Sequence, residues 1–163
     1  MKCFLTLILV SMLLSAHAQL LPKELVQKKF NDKVSEYYTK YQMDGFVTYK
    51  GGTINMEKNT EMPIYVDLQE GRWYHFIVVG DPEARKLEMK LGLEGVGHII
   101  TDKFKTENTG TYSTDFSFVC PRSGRYILTF YQKGPKSDML GHIAVLQKPS
   151  KTKEGAAVTY TLK

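Results

Sequence analysis

A chain of 163 residues with a formal net charge of +5 is one domain's worth of sequence with a mildly basic balance. Its basic residues are scattered (Lys28-Lys29, Lys103 and Lys105, Lys148 to Lys153) rather than gathered into a stripe, which argues against a nucleic-acid partner. Cys3 lies in an N-terminal leader, so Cys120 stands alone in the exported chain, which has no internal disulfide and is held by packing.

The leader reads as a secretory signal peptide over residues 1–18. Met1-Lys2 is its positive start, Phe4 to Leu14 its apolar run, and Ala16-His17-Ala18 a small-x-small cleavage site before Gln19. The apolar run is too short for the ~20 residues that span a bilayer. The mature chain is therefore expected to lack a transmembrane segment and to be secreted or periplasmic. Residues 19–44 follow as an N-terminal helical segment, and 45–163 as a β-sandwich domain.

From Lys23 to Tyr41, Leu25, Val26, Phe30, Val34, Tyr37, Tyr38 and Tyr41 recur at helical spacing. Lys28, Lys29, Asp32, Lys33 and Glu36 occupy the other side, close enough for i,i+4 pairs. Pro22 suits the first turn. The helix is expected to pack on an edge or face of the sandwich. Its three tyrosines argue against deep lipid insertion.

Phe46 to Lys50 reads as a strand, Gly51-Gly52 as a two-residue hairpin turn and Thr53 to Met56 as the return strand. In Met62 to Leu68 the alternation places Ile64, Val66 and Leu68 inward and Tyr65 and Asp67 outward. Trp73 to Val79 is apolar on both parities and is expected to be covered on both sides. Lys86 to Leu93 alternates most cleanly, with Leu87, Met89, Leu91 and Leu93 against Glu88, Lys90 and Glu94. A short strand surrounds Ile99-Ile100, and Lys103 to Ser113 reads as a long polar loop.

Asp115 to Lys133 holds two more strands around Pro121-Arg122-Ser123-Gly124, with Phe116, Phe118 and Cys120 on one face of the first. Both Gly71-Arg72-Trp73 and Gly124-Arg125-Tyr126 open from a turn into an apolar run, so the strands they begin are expected to be central. Leu140 to Gln147 and Ala157 to Leu162 complete the pattern. About 8–9 short strands at this spacing make an antiparallel β-sandwich or barrel.

The order of features from about Met62 to Gln147 resembles the bacterial pre-peptidase C-terminal (PPC) domain, a small jelly-roll-like β-sandwich. The phrases that carry it are Leu68-Gln69-Glu70-Gly71 followed by Trp73-Tyr74-His75-Phe76, the leucine-alternating Leu87 to Leu93, and Asp115-Phe116-Ser117-Phe118 leading to Ser123-Gly124-Arg125-Tyr126-Ile127-Leu128. Golgi-dynamics-type β-sandwiches share a similar phrase. The chain departs from the PPC pattern in having no accompanying protease and in its N-terminal helix and hairpin. The resemblance implies a jelly-roll-like fold and an accessory, non-catalytic extracellular module that assists secretion or binds matrix or carbohydrate.

No Gly-x-Ser-x-Gly, Walker loop or Gly-x-Gly-x-x-Gly marks a catalytic site, and Gly92 to Gly97 reads as a turn between strands. His75, His98 and His142 lie too far apart in sequence for a compact metal motif. His75, inside an apolar strand, needs a hydrogen-bond partner if buried. Asp81 and Glu83, with Asp102 or Asp138 from another loop, are candidate oxygen ligands for Ca²⁺. Trp73, Tyr65, Tyr74, Tyr112 and Tyr131 are candidate ring-stacking residues for a carbohydrate. Three readings follow. The first is a binding module for carbohydrate or a protein partner at the cell surface. The second is an adhesion or assembly subunit acting through the helix. The third is a small secreted hydrolase assembled from distant residues.

Overall fold

Alternating apolar residues become strands where one parity can be buried, and the chain does this eight times among its described residues. The computed structural model describes residues 21–57, 59–105 and 110–149. In chain order these form helix α1 (Lys23–Met43), then β1 (Val47–Glu57), β2 (Glu61–Leu68), β3 (Trp73–Val79) and β4 (Lys86–Leu93). After them come β5 (Gly97–Lys105), β6 (Ser113–Val119), β7 (Gly124–Lys133) and β8 (Asp138–Gln147).

Sheet A runs β1-β8-β3-β6 and sheet B runs β2-β7-β4-β5. All these pairings are antiparallel. The chain crosses between the sheets at every connection except β4 to β5, which gives an eight-stranded jelly roll. The strands opened by the two Gly-Arg phrases, β3 and β7, are interior strands of their sheets, as the sequence suggests. Between the layers pack Tyr74, Phe76 and Val78 of β3, Tyr126, Leu128 and Phe130 of β7, Leu87, Met89 and Leu91 of β4, and Ile143 and Val145 of β8. Cys120 is buried with them as a small apolar residue.

A second cluster lies outside sheet A. Phe30, Tyr37 and Tyr41 of α1 pack with Phe46 on Ile77 and Val79 of β3 and Ala144 and Leu146 of β8. This explains why β3 is apolar on both parities: one face meets sheet B and the other meets the helix. The helix lies on the sheet face, with Leu25 turned partly to solvent. Pro22 caps the helix from outside its first turn, its carbonyl accepting the N–H of Leu25 and Val26 at 2.9 and 3.0 Å. Among the described residues no helix is long and apolar enough to cross a membrane.

Two expectations are corrected. Gly51-Gly52 is not a hairpin turn: β1 runs straight through it and pairs along its length with β8, Gly51 opposite Ala144 and Gly52 opposite Ile143. Glycine is needed at 51 because the strand lies too close to its neighbour for a side chain. A Cβ there would stand 2.8 Å from the Ile143 carbonyl oxygen, whereas one at Gly52 would meet nothing within 4 Å. Gly51→Ala is therefore expected to cost about 1–3 kcal/mol, while Gly52→Ala is expected to be neutral or to gain up to about 1 kcal/mol. Urea midpoints of the two variants check this contrast, and equal shifts would refute it. The polar stretch Lys103 to Ser113 is likewise not a single loop, since β5 extends to Lys105 and β6 begins at Ser113. The leader over 1–18 and the strand expected at Ala157 to Leu162 lie outside the described residues.

Candidate functional site

Helix α1 meets sheet A through hydroxyl groups as much as through apolar surface. Tyr41 shares a face with Tyr37, four residues before it, and with Tyr38, three before it, because both spacings fit a helical turn. Each of these hydroxyls reaches the sheet. Tyr37 Oη lies 3.1 Å from Ser113 Oγ, Tyr38 Oη lies 3.2 Å from His142 Nε2, and the Tyr41 hydroxyl donates to Asp115 Oδ2. In the reverse direction, the Tyr112 hydroxyl donates to the Lys29 carbonyl of the helix at 3.0 Å.

Two histidines sit beneath these contacts, His75 on β3 at 4% exposure and His142 on β8 at 6%. His75 Nε2 is 2.9 Å from Asp115 Oδ2 and its Nδ1 is 2.9 Å from Ser117 Oγ. The Tyr41 ring lies over the imidazole, centroids 3.7 Å apart. Burial works against the ionised Asp115 carboxylate. The bonds from His75 and Tyr41, with Lys40 nearby, nevertheless hold it down to about 2. An ionised Asp115 only accepts, so His75 directs an Nε2–H at it, while its Nδ1 faces the Ser117 hydroxyl. Among the described residues no carboxylate pairs with His142. Its Nδ1 is 2.9 Å from Thr53 Oγ1, and burial lowers its tendency to take a proton.

The chain Ser117–His75–Asp115 has the connectivity of a nucleophilic triad. The same pattern recurs at Thr53–His142, where a hydroxyl on an edge strand faces a histidine directly across the ladder. Ser117 is the register partner of His75, and Thr53 of His142. Lys148 N–H bonds to the Trp73 carbonyl, so His75 turns its backbone groups toward β8 and meets Ser117 as a non-hydrogen-bonded pair with side chains close together. Cross-strand pairing accounts for both contacts. Clefts of about 530, 400 and 410 Å³ lie along α1 and at its N-terminal end, and none is lined by His75, Asp115 or Ser117.

The five candidate ring-stacking residues do not form one face. Tyr74 is 1% exposed in the inter-sheet core, with its hydroxyl taken by the Gln69 N–H, so it cannot stack on a ligand. Tyr112 is half-buried against the helix. Trp73 is exposed, but on the outer face of sheet A beyond the helix end, edge-on to Phe46 and under Lys148. Tyr65 and Tyr131 alone share a surface, the outer face of sheet B. Tyr65 pairs with Ile127 and Tyr131 with Glu61, which places the two rings roughly 13 Å apart along the strands.

Among the described residues no helix covers that face. Around Tyr131 stand Lys86, whose Nζ is 4.9 Å from the ring centroid, and the linked set Lys86–Glu88–Lys90–Glu61. Hydrogen bonding from Lys86, against the pull of burial and with help from Lys90, holds the Glu88 carboxyl down to about 2. Beside Tyr65 lie Ile127 and Gly92 in one row, and an Arg125–Asp67 pair at 3.2 Å.

Of the Ca²⁺ candidates Asp81, Glu83 and Asp102, the first two are already engaged by the loop's own bonding. Asp81 is 1% exposed and accepts the N–H groups of Glu83 at 2.9 Å and Leu140 at 3.1 Å. Glu83 accepts the Leu21 N–H at 2.7 Å and pairs with Lys136. Lys136 thus supplies the positive charge a metal would bring. Asp102 falls on β5 opposite Met89, and its side chain is outside the description. Among the described residues no group of three His, Cys, Asp or Glu could hold a metal.

No family model matches the chain, and no curated protein matches it. Among solved structures it is similar to a CBM4 module at 12% identity and TM-score 0.41, over 63% of this chain and 78% of that one. It is also similar to PliG of Aeromonas hydrophila, a periplasmic inhibitor of g-type lysozyme, at 12% identity and TM-score 0.39, over 59% and 84%. A third is the structure of Tomato aspermy virus, at 11% identity and TM-score 0.33, over 80% and 100%. These likenesses are distant, and the jelly-roll assignment stands on the strand order itself.

Proposed function

We propose that the chain is an exported, non-catalytic binding module whose ligand is a carbohydrate bound on the outer face of sheet B. One observation carries this reading: among the described residues sheet A is covered by α1, whereas the outer face of sheet B carries no helix and presents an exposed Tyr65 and a half-buried Tyr131 under Lys86. Aromatic rings offer apolar area to the faces of sugar rings, and neighbouring polar groups can bond hydroxyls. Lys86 and Lys90 are matched there by Glu88 and Glu61, and Arg125 by Asp67, while Lys133 stands opposite Lys86 and the register places Lys103 and Lys105 on the same face, so basic residues outnumber acidic ones. The apolar side of α1 is taken up by sheet A, so an assembly role for the helix would have to use its charged side. Export rests on the leader pattern over Met1 to Ala18, and the PPC resemblance implies the same kind of accessory module.

The test is a glycan array, with neutral and acidic glycans, followed by calorimetry on the retained ligand. Tyr65→Ala and Tyr131→Ala are each expected to weaken binding about tenfold, the loss of about 1.4 kcal/mol of ring contact, with unchanged unfolding midpoints. An array on which the wild-type chain retains nothing, or two variants that bind like wild type, would overturn the proposal.

A further inference from the structure

We propose that α1 is an acid-released cover on the outer face of sheet A, with His142 as the group whose protonation frees it. The geometry sets His142 apart from His75. A proton gained by His75 arrives next to the Asp115 carboxylate. A proton gained by His142 arrives between two neutral oxygens, Thr53 Oγ1 on β1 and Tyr38 Oη on α1. Both oxygens can accept from an imidazolium, so the hydrogen bonds survive. What is lost is the solvation of a charge at a site that is 6% exposed.

The groups facing His142 from each packed element offer no compensation. From α1 comes the Tyr38 ring, edge-on with centroids 5.6 Å apart. From β1 comes Thr53, and from β3 the apolar Val79 in register. Along β8, Leu140 and Ala144 flank it on the same face. Asp81, which takes the Leu140 N–H, is already engaged by the Glu83 N–H and lies 3.9 Å from Lys136. The helix can leave without dismantling the sandwich, because its contacts form a cluster separate from the inter-sheet core. Release would uncover Ile77, Val79, Ala144 and Leu146, an apolar strip hidden at neutral pH.

The sign follows from linkage. Burial lowers the folded-state affinity of His142 for a proton below its ordinary value near 6.5, so the undocked state binds the proton more tightly. Docking is at full strength above that value. It weakens as pH falls below it, by up to about tenfold per pH unit, the slope of one proton. Asp115 adds nothing in this range, since its own change lies below its ordinary 3.8.

Amide hydrogen exchange on the full chain, corrected for intrinsic rates, tests this from about pH 7.5 to about pH 4.5. The expected result is a fall in α1 protection of tenfold or more while β3 and β7 amides hold theirs. His142→Gln, which places an amide near the position of Nε2, and His142→Asn, which places one near Nδ1, should each flatten the α1 profile. Constant α1 protection over the range, a parallel loss in the sheets, or an undiminished fall in the variants would each overturn the proposal.

Discussion

Phe130→Ala is expected to remove about 3–5 kcal/mol of folding stability, the range for deleting a buried ring whose site cannot collapse. Phe130 is 0% exposed on β7 and faces sheet A across the sandwich. A Cβ built on Gly141 of β8 would stand 2.9 Å from Phe130 Cε1, so the ring tip abuts the backbone of the opposite sheet. That backbone is held in the ladder to β1 opposite Ile54, next to His142 where the ladder to β3 ends, and cannot sink into the space the ring leaves. Its neighbours in register, Met62 and Met89, are flexible thioethers and supply what relaxation there is. Against a total of about 5–15 kcal/mol for a domain, such a loss leaves the variant near its unfolding threshold. A urea titration should show a lower midpoint at unchanged slope. A loss below about 1 kcal/mol, the scale of a well-tolerated core swap, would mean that the two sheets do not meet through this ring.

Most of the sandwich is legible in the sequence because burial on one parity writes itself as alternation. β2, β4 and β7 carry that signal cleanly, and the double-parity apolar run of β3 correctly announces cover on both sides. The Gly51-Gly52 error shows where such reading stops. Glycine pairs mark tight turns and close backbone approaches alike, and the Ile143 carbonyl that decides between them lies far along the chain. The site was less legible still. Tyr74 shares its parity with Phe76 and Val78, which marks it as core, yet tyrosine as a residue type suggests a surface. Conversely, three tyrosines on the apolar side of one helix and a histidine in an apolar strand both signal hidden hydrogen bonds. What the sequence does not contain is the pairing: Tyr41 to Asp115 and Tyr38 to His142 are tertiary facts.

Asp115→Ala is expected to cost about 3 kcal/mol, felt first in the helix. The substitution leaves His75 Nε2–H and the Tyr41 hydroxyl without their acceptor, and each unpaired buried donor costs about 1–3 kcal/mol. Because the Tyr41 hydroxyl needs Asp115 as its partner, Tyr41→Phe and Asp115→Ala should not add. The double variant is expected to lose about 1 kcal/mol less than the sum of the singles, within the usual range for directly bonded residues. The acid limb gives an independent reading. Asp115 is held down to about 2 from an ordinary 3.8, so its contribution is fully present above 3.8 and is lost as pH falls through about 2. Glu88, also held down to about 2, declines in the same low window, so wild-type stability should fall there and Asp115→Ala should fall less steeply, while both keep the separate step below pH 6.5 that belongs to His142. Calorimetric unfolding of the two chains as a function of pH separates the windows. If the low-pH decline persists unchanged without the carboxylate, Asp115 is not the residue that ties the helix to the sheet.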